Sequence, residues 1–291
     1  LPLPQDEAEW ETLDVMFATN TGSIRRNKLS DCVPRTSLGK RVMEFDDERQ
    51  TIVGVSLATE NDDVLLTTAL GQCIRFQVLD IRVFGGNGST GTSTGVRGIA
   101  LGDSDRVISM AILTHSDADA SERAAYLKRA VAERRGSAEE GEEISLVGEE
   151  VSAVADLTEE RYLAMRAAEQ MVLTVSEFGY GKRSSSYDFR ITNRGGKGIR
   201  ATDTSKVTEI GELVAAFPVR EGDQIMLVTD AGQLIRTAVD PIRLASRATK
   251  GVTIFKTGAE QKVMSVELIS EPEEENGSGD GGGYEVAEPG V

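Results

Sequence analysis

Cations set among glycines are the residues in this sequence whose type and spacing suggest chemistry. In "NRGGKGIRA", Asn193 to Ala201, three glycines surround Lys197, with Arg194 and Arg200 on either side. Such a loop suits phosphate, because glycine lets backbone N–H groups approach an anion closely and the cations neutralise it. The phosphates could belong to a nucleotide or to a nucleic acid, and the local string does not decide between them. Other chemistries have less to work with. His115 is the single histidine, set among Thr114, Ser116 and Asp117, and it reads as an ordinary surface residue. Cys32 and Cys73 lack CxxC spacing and read as small hydrophobes in a reducing compartment.

The elements that position the loop emerge from an internal repeat. Four segments share one pattern: "DVMFATNTGSIRR" from Asp14, "DVLLTTALGQCIRF" from Asp63, "MVLTVSEFGYGKR" from Met171 and "QIMLVTDAGQLIR" from Gln224. Each is an apolar run, a polar turn ending in glycine, and an arginine four residues on, giving the pairs Gly22/Arg26, Gly71/Arg75, Gly179/Arg183 and Gly232/Arg236. This pattern predicts β-hairpins. An arginine so placed is either a phosphate contact or a solvated strand residue. A second glycine follows in each unit, in "RTSLGKRV", "STGVRGIA", "NRGGKGIR" and "RATKGVTI", and each unit closes on a β-rich run.

The hairpin glycines are 49, 108 and 53 residues apart, so the middle gap is two periods or one period with an insertion. Residues 117–170 supply the insertion. "DASERAAYLKRAVAERR" and "DLTEERYLAMRAAEQ" have helical spacing, with Asp156 three before Glu159 as a capping box. Repeats of about 50 residues with several short strands are propeller grammar. The fold class expected is therefore all-β: propeller-like β-pinwheel blades, about four repeats, with an inserted helical segment. The boundaries are a linker at 1–12, repeats at 13–114, an acidic helical insertion at 115–170, repeats at 171–270 and a disordered acidic tail at 271–291.

Net charge of −16 argues against a polyanionic ligand until it is resolved along the chain. Segments 1–114, 115–170 and 271–291 carry −5, −7 and −7, whereas 171–270 carries +3. Local field decides what a surface attracts. The glycine loops lack the strand, G-x-x-x-x-G-K-[ST] and helix of a P-loop. The G-x-G-x-x-G at Gly86, Gly88 and Gly91 is followed by no helix, which speaks against a dinucleotide site. No run of about 18 apolar residues exists for a membrane span, and no signal peptide is evident.

If blades stack around an axis, equivalent loops fall on one rim and form a curved band of cations. Such a band suits a bent duplex, held through phosphates rather than read by base. The candidate DNA-contacting residues are Arg35, Arg97, Lys182, Arg183, Arg194, Lys197, Arg200, Arg247 and Lys250. Arg35, Arg194 and Arg247 stand four before their glycine, and Arg97, Lys197 and Lys250 immediately before it.

The strings "TGVRGI", "FGYGKR", "RGGKGI", "DQIMLVTDAGQLIRT" and "SRATKGV", in this order, resemble the C-terminal domain of the DNA gyrase A subunit. The resemblance covers about 13–114 and 171–270. It implies a β-pinwheel of six blades in the family whose rim binds and wraps DNA, supporting ATP-dependent negative supercoiling by the whole A2B2 enzyme in the bacterial cytoplasm. Double-stranded DNA, the rest of the gyrase A subunit and the gyrase B subunit are the implied partners. The cleavage tyrosine and the ATP site lie outside such a domain, and no cofactor is implied for it. The family's Q-R-R-G-G-K-G box is matched only by "TNRGGKG", with Thr192 and Asn193 replacing Gln and Arg, and in the third repeat. That departure implies that the first two family repeats are not in this sequence. The related domain of the topoisomerase IV A subunit, a propeller-like protein-interaction platform and a nucleotide-binding enzyme are the alternatives.

Overall fold

The computed structural model describes residues 3–33, 39–86, 93–137, 156–258 and 261–269. Arg35, Gly88, Gly91 and the tail at 271–291 lie outside the described residues.

Each repeat begins with a hairpin. The strands are β1 (Asp14–Thr19) and β2 (Ser23–Lys28), then β4 (Asp62–Thr68) and β5 (Gln72–Gln77), β8 (Met171–Ser176) and β9 (Tyr180–Ser185), and β12 (Gln224–Thr229) and β13 (Leu234–Ala238). Glycine is required at the turns: Gly22, Gly71, Gly179 and Gly232 all have φ between +74° and +86°. The closing runs form long strands beside β1, β4, β8 and β12, namely β3 (Ile52–Ala58), β7 (Val107–Thr114), β11 (Leu213–Val219) and β15 (Val263–Ile269). In the first three hairpins the alternation expected for a half-solvated strand gives way to near-continuous burial. Residues 14–19 of β1 are all buried, because the second blade covers one face and the first repeat's own Trp10, Leu29 and Met43 cover the other.

The fourth strand of each of the first three blades comes from the next repeat. Sheet orders are β3-β1-β2-β6, β10-β5-β4-β7 and β11-β8-β9-β14, with β6 (Val96–Arg97), β10 (Ile199–Arg200) and β14 (Val252–Thr253). In the last sheet, β13-β12-β15, there are three strands among the described residues. A further seam bond recurs: Gly98, Ala201 and Ile254 N–H donate to the carbonyls of Gly22, Gly71 and Gly179, each at 2.8 Å. Three apolar clusters fill the blades and their seams. One joins Met16, Ile24, Val64 and Phe76 across the first two blades, and another joins Leu173, Ile225 and Leu227 across the last two.

The insertion contains α2 (Ala120–Ser137) and α3 (Glu159–Ala168), after the single turn α1 (Leu29–Cys32) and before the turn α4 (Val207–Ile210). The α3 cap is Thr158, whose side chain accepts from the Arg161 N–H, and not Asp156. At α2 a reciprocal box forms between Asp119 and Glu122. Tyr126 of α2 stacks on Tyr162 of α3 and on Tyr187 of the third repeat, with ring centroids 5.3 and 4.9 Å away. The Tyr187 hydroxyl donates to the Met165 carbonyl at 2.9 Å, so this ring is buried with its polar end satisfied. Residues 7–11, expected as linker, form a 3-10 turn capped by Asp6. Trp10 packs there against the first blade's Val15, Phe17 and Leu29 cluster.

Candidate nucleic-acid interface

The glycine loops lie one against the next along the seams. Gly195 N–H donates to the Gly98 carbonyl at 2.6 Å, and Ala100 N–H donates to Gly196 at 2.8 Å, so the third repeat's loop is stapled to the second's. The third and fourth are joined through Thr249, whose carbonyl accepts from Thr202 Oγ1 and Lys182 Nζ. A continuous strip results, running from about 95–101 through 193–202 to 246–251.

Glycine geometry fixes the register between the loops. Gly95, Gly198 and Gly251 have φ of +87°, +74° and +80°, and a Cβ on each would collide with the carbonyl oxygen of Ile24, Cys73 and Gly181 respectively. Gly95, and not Gly98, is therefore the counterpart of Gly198 and Gly251. Arg97 thus corresponds to Arg200 and not to Lys197, which corrects the register expected from the sequence pattern.

The eight expected contacts among the described residues separate into exposed cations and cations tied to the fold. Arg97, Lys197 and Arg200 are exposed, and their side chains make no hydrogen bond or ion pair among the described residues. Lys250 is half-buried, paired with Glu209 and 5.5 Å from the Tyr180 ring centroid. Arg194 and Arg247 hold the repeats together in one repeated geometry. Arg194 Nε donates to Asp80 O and its Nη1 to Arg97 O, at 3.0 and 3.1 Å. Arg247 Nε donates to Asp188 O and its Nη1 to Arg200 O, at 2.8 and 2.7 Å. Each arginine satisfies carbonyls of the preceding repeat.

Lys182 is 1% exposed, with Nζ on Ala201 O and Thr249 O at 3.0 and 2.7 Å. Burial pulls its ammonium down to about 7, opposed by the Asp188 charge. Arg183 donates to Ile242 O and Asp240 O, both at 2.7 Å, and burial lowers its pKa. Lys182 and Arg247 are thus internal braces, and the half-buried Arg183 braces the same seam through the carbonyls it joins. Arg35 lies outside the described residues.

The arginines four after the hairpin glycines are neither solvated nor phosphate-facing in the first two blades. Arg26 is buried against Asp14 at 2.7 Å and reaches Glu60, while Arg75 pairs with Asp63 at 2.8 Å. His115, expected at the surface, is held by the same buried Asp63, with Nδ1 2.8 Å from Oδ1. In the fourth blade Arg236 is exposed and meets Gln224.

Sequence reasoning passed over Arg82 and Arg190. Both are exposed, and they occupy the same place in consecutive repeats, two positions past the Asp80 and Asp188 carbonyls that receive the loop arginines. The signal was the shared Asp-x-Arg of "LDIRV" and "YDFRI". Such an arrangement can neutralise and position a polyanion. Among the described residues no group of three or more His, Cys, Asp or Glu is placed to hold a metal. No described helix is long and apolar enough to cross a membrane.

Comparisons with known proteins follow the same division of the chain. The family described as "DNA gyrase C-terminal domain, beta-propeller" matches residues 13–59, 62–114, 170–220 and 223–270. The DNA gyrase A subunit of Granulibacter bethesdensis is 44% identical over 289 residues, covering 96% of this chain and 30% of that protein. The Escherichia coli K12 protein of the same name is 29% identical over 285 residues, covering 94% of the chain and 26% of the protein. The chain therefore spans less than a third of the length of these relatives. Among solved structures, the C-terminal domain of DNA topoisomerase IV aligns with a TM-score of 0.65 at 15% identity, covering 92% of this chain and 64% of that one. The DNA gyrase A C-terminal domain aligns at 0.61 and 17%, covering 89% and 67%. The structural likeness concerns the fold, whereas the family match and the 44% identity concern descent: this chain belongs to the family of DNA gyrase C-terminal domains.

Proposed function

We propose that this chain binds duplex DNA through its phosphates and bends it around the blade rim, as the C-terminal domain of a gyrase A subunit. The observation that carries the reading is the strip of stapled glycine loops bearing Arg97, Lys197 and Arg200 exposed on consecutive repeats. Backbone staples hold the loops that carry those cations in fixed relative positions, so less backbone freedom is lost on binding. Bending 20–30 bp by 40–90° costs roughly 1–6 kcal/mol, which an array of such contacts must offset. Wrapping in turn gives direction to ATP-dependent supercoiling by an A2B2 enzyme in the bacterial cytoplasm, with cleavage and ATP hydrolysis supplied elsewhere in that assembly. Identity to gyrase A proteins favours this over a topoisomerase IV domain.

Titrating a 30-bp duplex at several salt concentrations tests the proposal. The intact chain should lose affinity linearly in log–log form, and R97A/K197A/R200A should flatten that slope by about 0.9 for each phosphate no longer neutralised. Relative affinity among sequences should not change. An unchanged slope in the folded triple variant rejects the strip as the interface, and absence of duplex binding by the intact chain points to a protein-interaction platform.

A further inference from the structure

We infer that the helical insertion is a positioning element for the fourth repeat's cation loop, acting by seating the 3-10 turn Ser186–Asp188 through Tyr126 and Tyr187. That turn follows β9, and its three residues face three different parts of the molecule. The Ser186 carbonyl accepts from Arg75 Nη1 of the second blade at 2.8 Å. Tyr187 is 4% exposed beneath the insertion, with its ring against Tyr126 and its hydroxyl on the Met165 carbonyl. Asp188 holds the fourth repeat. Its carboxylate accepts from the Arg247 N–H at 2.7 Å and from Ser246 Oγ at 3.0 Å, and its carbonyl accepts from Arg247 Nε at 2.8 Å. Arg247 also reaches the Arg200 carbonyl, so one arginine spans the third and fourth loops.

The second repeat supplies an internal comparison. Its turn Val78–Asp80 likewise follows the outer hairpin strand, but its middle residue, Leu79, is 54% exposed. The loop that meets this turn is closed by backbone bonds, from Gly195 to Gly98 and from Ala100 to Gly196, besides the Arg194 guanidinium. The loop 246–250, by contrast, is held to the third repeat through side chains. Ser246 and Arg247 meet Asp188, Ser184 meets the Ala245 carbonyl, and Lys182 and Thr202 meet the Thr249 carbonyl. A loop hung on side chains follows its anchor, and the anchor here is the turn under the insertion.

The insertion grips that anchor from two sides. Its apolar cluster of Ala118, Tyr126, Ala130, Tyr162 and Met165 takes in Tyr187, the one buried member that a repeat supplies among the described residues. Gln170, at the insertion's end, accepts from the Ser186 N–H at 2.8 Å and donates its own N–H to Ser186 Oγ. Between α2 and the fourth repeat, in contrast, lies a cleft, with Leu127 and Val131 on one wall and Leu244 and Ala245 on the other. The firmer path from the helices to the loop therefore runs through Tyr187 and its neighbour Asp188. Coupling travels along packed side chains and hydrogen bonds of this kind. Arg200 and Lys250 are the cations that the path places. Their role on DNA rests on the function proposed above, whereas the coupling itself does not.

The test is amide hydrogen exchange in the intact chain. Tyr126→Ala should speed exchange at Arg247 about tenfold, while Gly195, whose amide belongs to the backbone-closed seam, keeps the parent rate. Tyr126→Phe retains the ring and should restore the parent rate at Arg247, which separates seating of the turn from the hydroxyl's bond to Glu169. Should Tyr126→Ala not fold, Tyr126→Leu keeps an apolar side chain there and should rank the two amides in the same order. On the 30-bp duplex Tyr126→Ala should cost about fivefold in affinity, because the loop cations are no longer pre-placed. An unchanged rate at Arg247 in a folded variant overturns the inference. Equal acceleration at Arg247 and Gly195 does so too, since it marks general loosening. Parent affinity despite faster exchange overturns its extension to DNA. An intact chain that binds no duplex fails the function proposed above, and the exchange comparison then still decides the coupling.

Discussion

In the second blade Arg75 is 3% exposed, held by Asp63 and by the carbonyls of Ser186 and Thr114. In the fourth blade Arg236 has the same place four residues after a hairpin glycine, yet it stands in solvent against Gln224. Their own hairpins differ at the facing position, which is Asp63 in the second blade and Gln224 in the fourth. A second difference lies in what the next repeat supplies. Ile191 of the third repeat lies beside Arg75 in a parallel bridge, and Ser186 offers it a carbonyl, whereas Arg236 meets a side chain of its own hairpin. Burial of this arginine thus depends on the adjacent repeat as well as on the acid that its own hairpin supplies.

The largest effect should come from truncating the two arginines. Arg75→Ala leaves Asp63 buried beside His115 without its main counter-charge, and breaking such a pair costs about 3–5 kcal/mol. Arg236→Ala should fall within about 0.5 kcal/mol of the parent in urea unfolding. Equal losses would remove the distinction between covered and open blades. The donor and turn glycines sharpen the same comparison at about half that size. Both Gly198→Ala and Gly232→Ala place a side chain at positive φ, costing roughly 1–2 kcal/mol. Only at Gly198 does the new Cβ also strike a neighbouring blade, at the Cys73 carbonyl. Thermal unfolding should therefore rank Gly198→Ala clearly below Gly232→Ala, and matching midpoints would count against a tight seam.

The last effect concerns pH. Lys182, braced under the third blade's seam, holds its proton only to about 7, whereas in the unfolded chain it does so to about 10.5. Between those values the unfolded state binds more protons, so this group's contribution makes stability rise as pH increases from 7 towards 10. The rise should appear in Tm and should be absent from Lys182→Met. A slope shared by both proteins would place its origin elsewhere.

Much of the blade order was legible because it rests on local signals: hairpin glycines, apolar runs and a common period. The cross-repeat donation was not. A two-residue strand such as Ile199–Arg200 has no periodicity, and its partners Cys73 and Gln72 lie on the far side of the insertion in the chain. The interface was half legible for a related reason. Lys182, Arg183 and Arg247 look in sequence like any other surface cations, and only the carbonyls converging on them reveal that they brace the seams. The sequence pattern attaches Arg97 to the wrong glycine, because Gly95 and Gly98 both flank it and only φ tells them apart.

Donation by the next repeat also has a consequence for the order of events on the ribosome. A blade cannot be finished until its successor has been translated. The first blade waits from Ala58 to Val96, and the third from Val219 to Val252. The insertion stretches the wait of the second blade from Thr114 to Ile199, more than twice either interval. At about 5–20 residues per second, its open edge persists for roughly 4–17 s. Helices α2 and α3 do not shorten that interval, because Tyr187, the ring on which Tyr126 docks, emerges only with the third repeat. The nascent chain is therefore most exposed to mispairing while the insertion is being made, and chaperone capture should concentrate there.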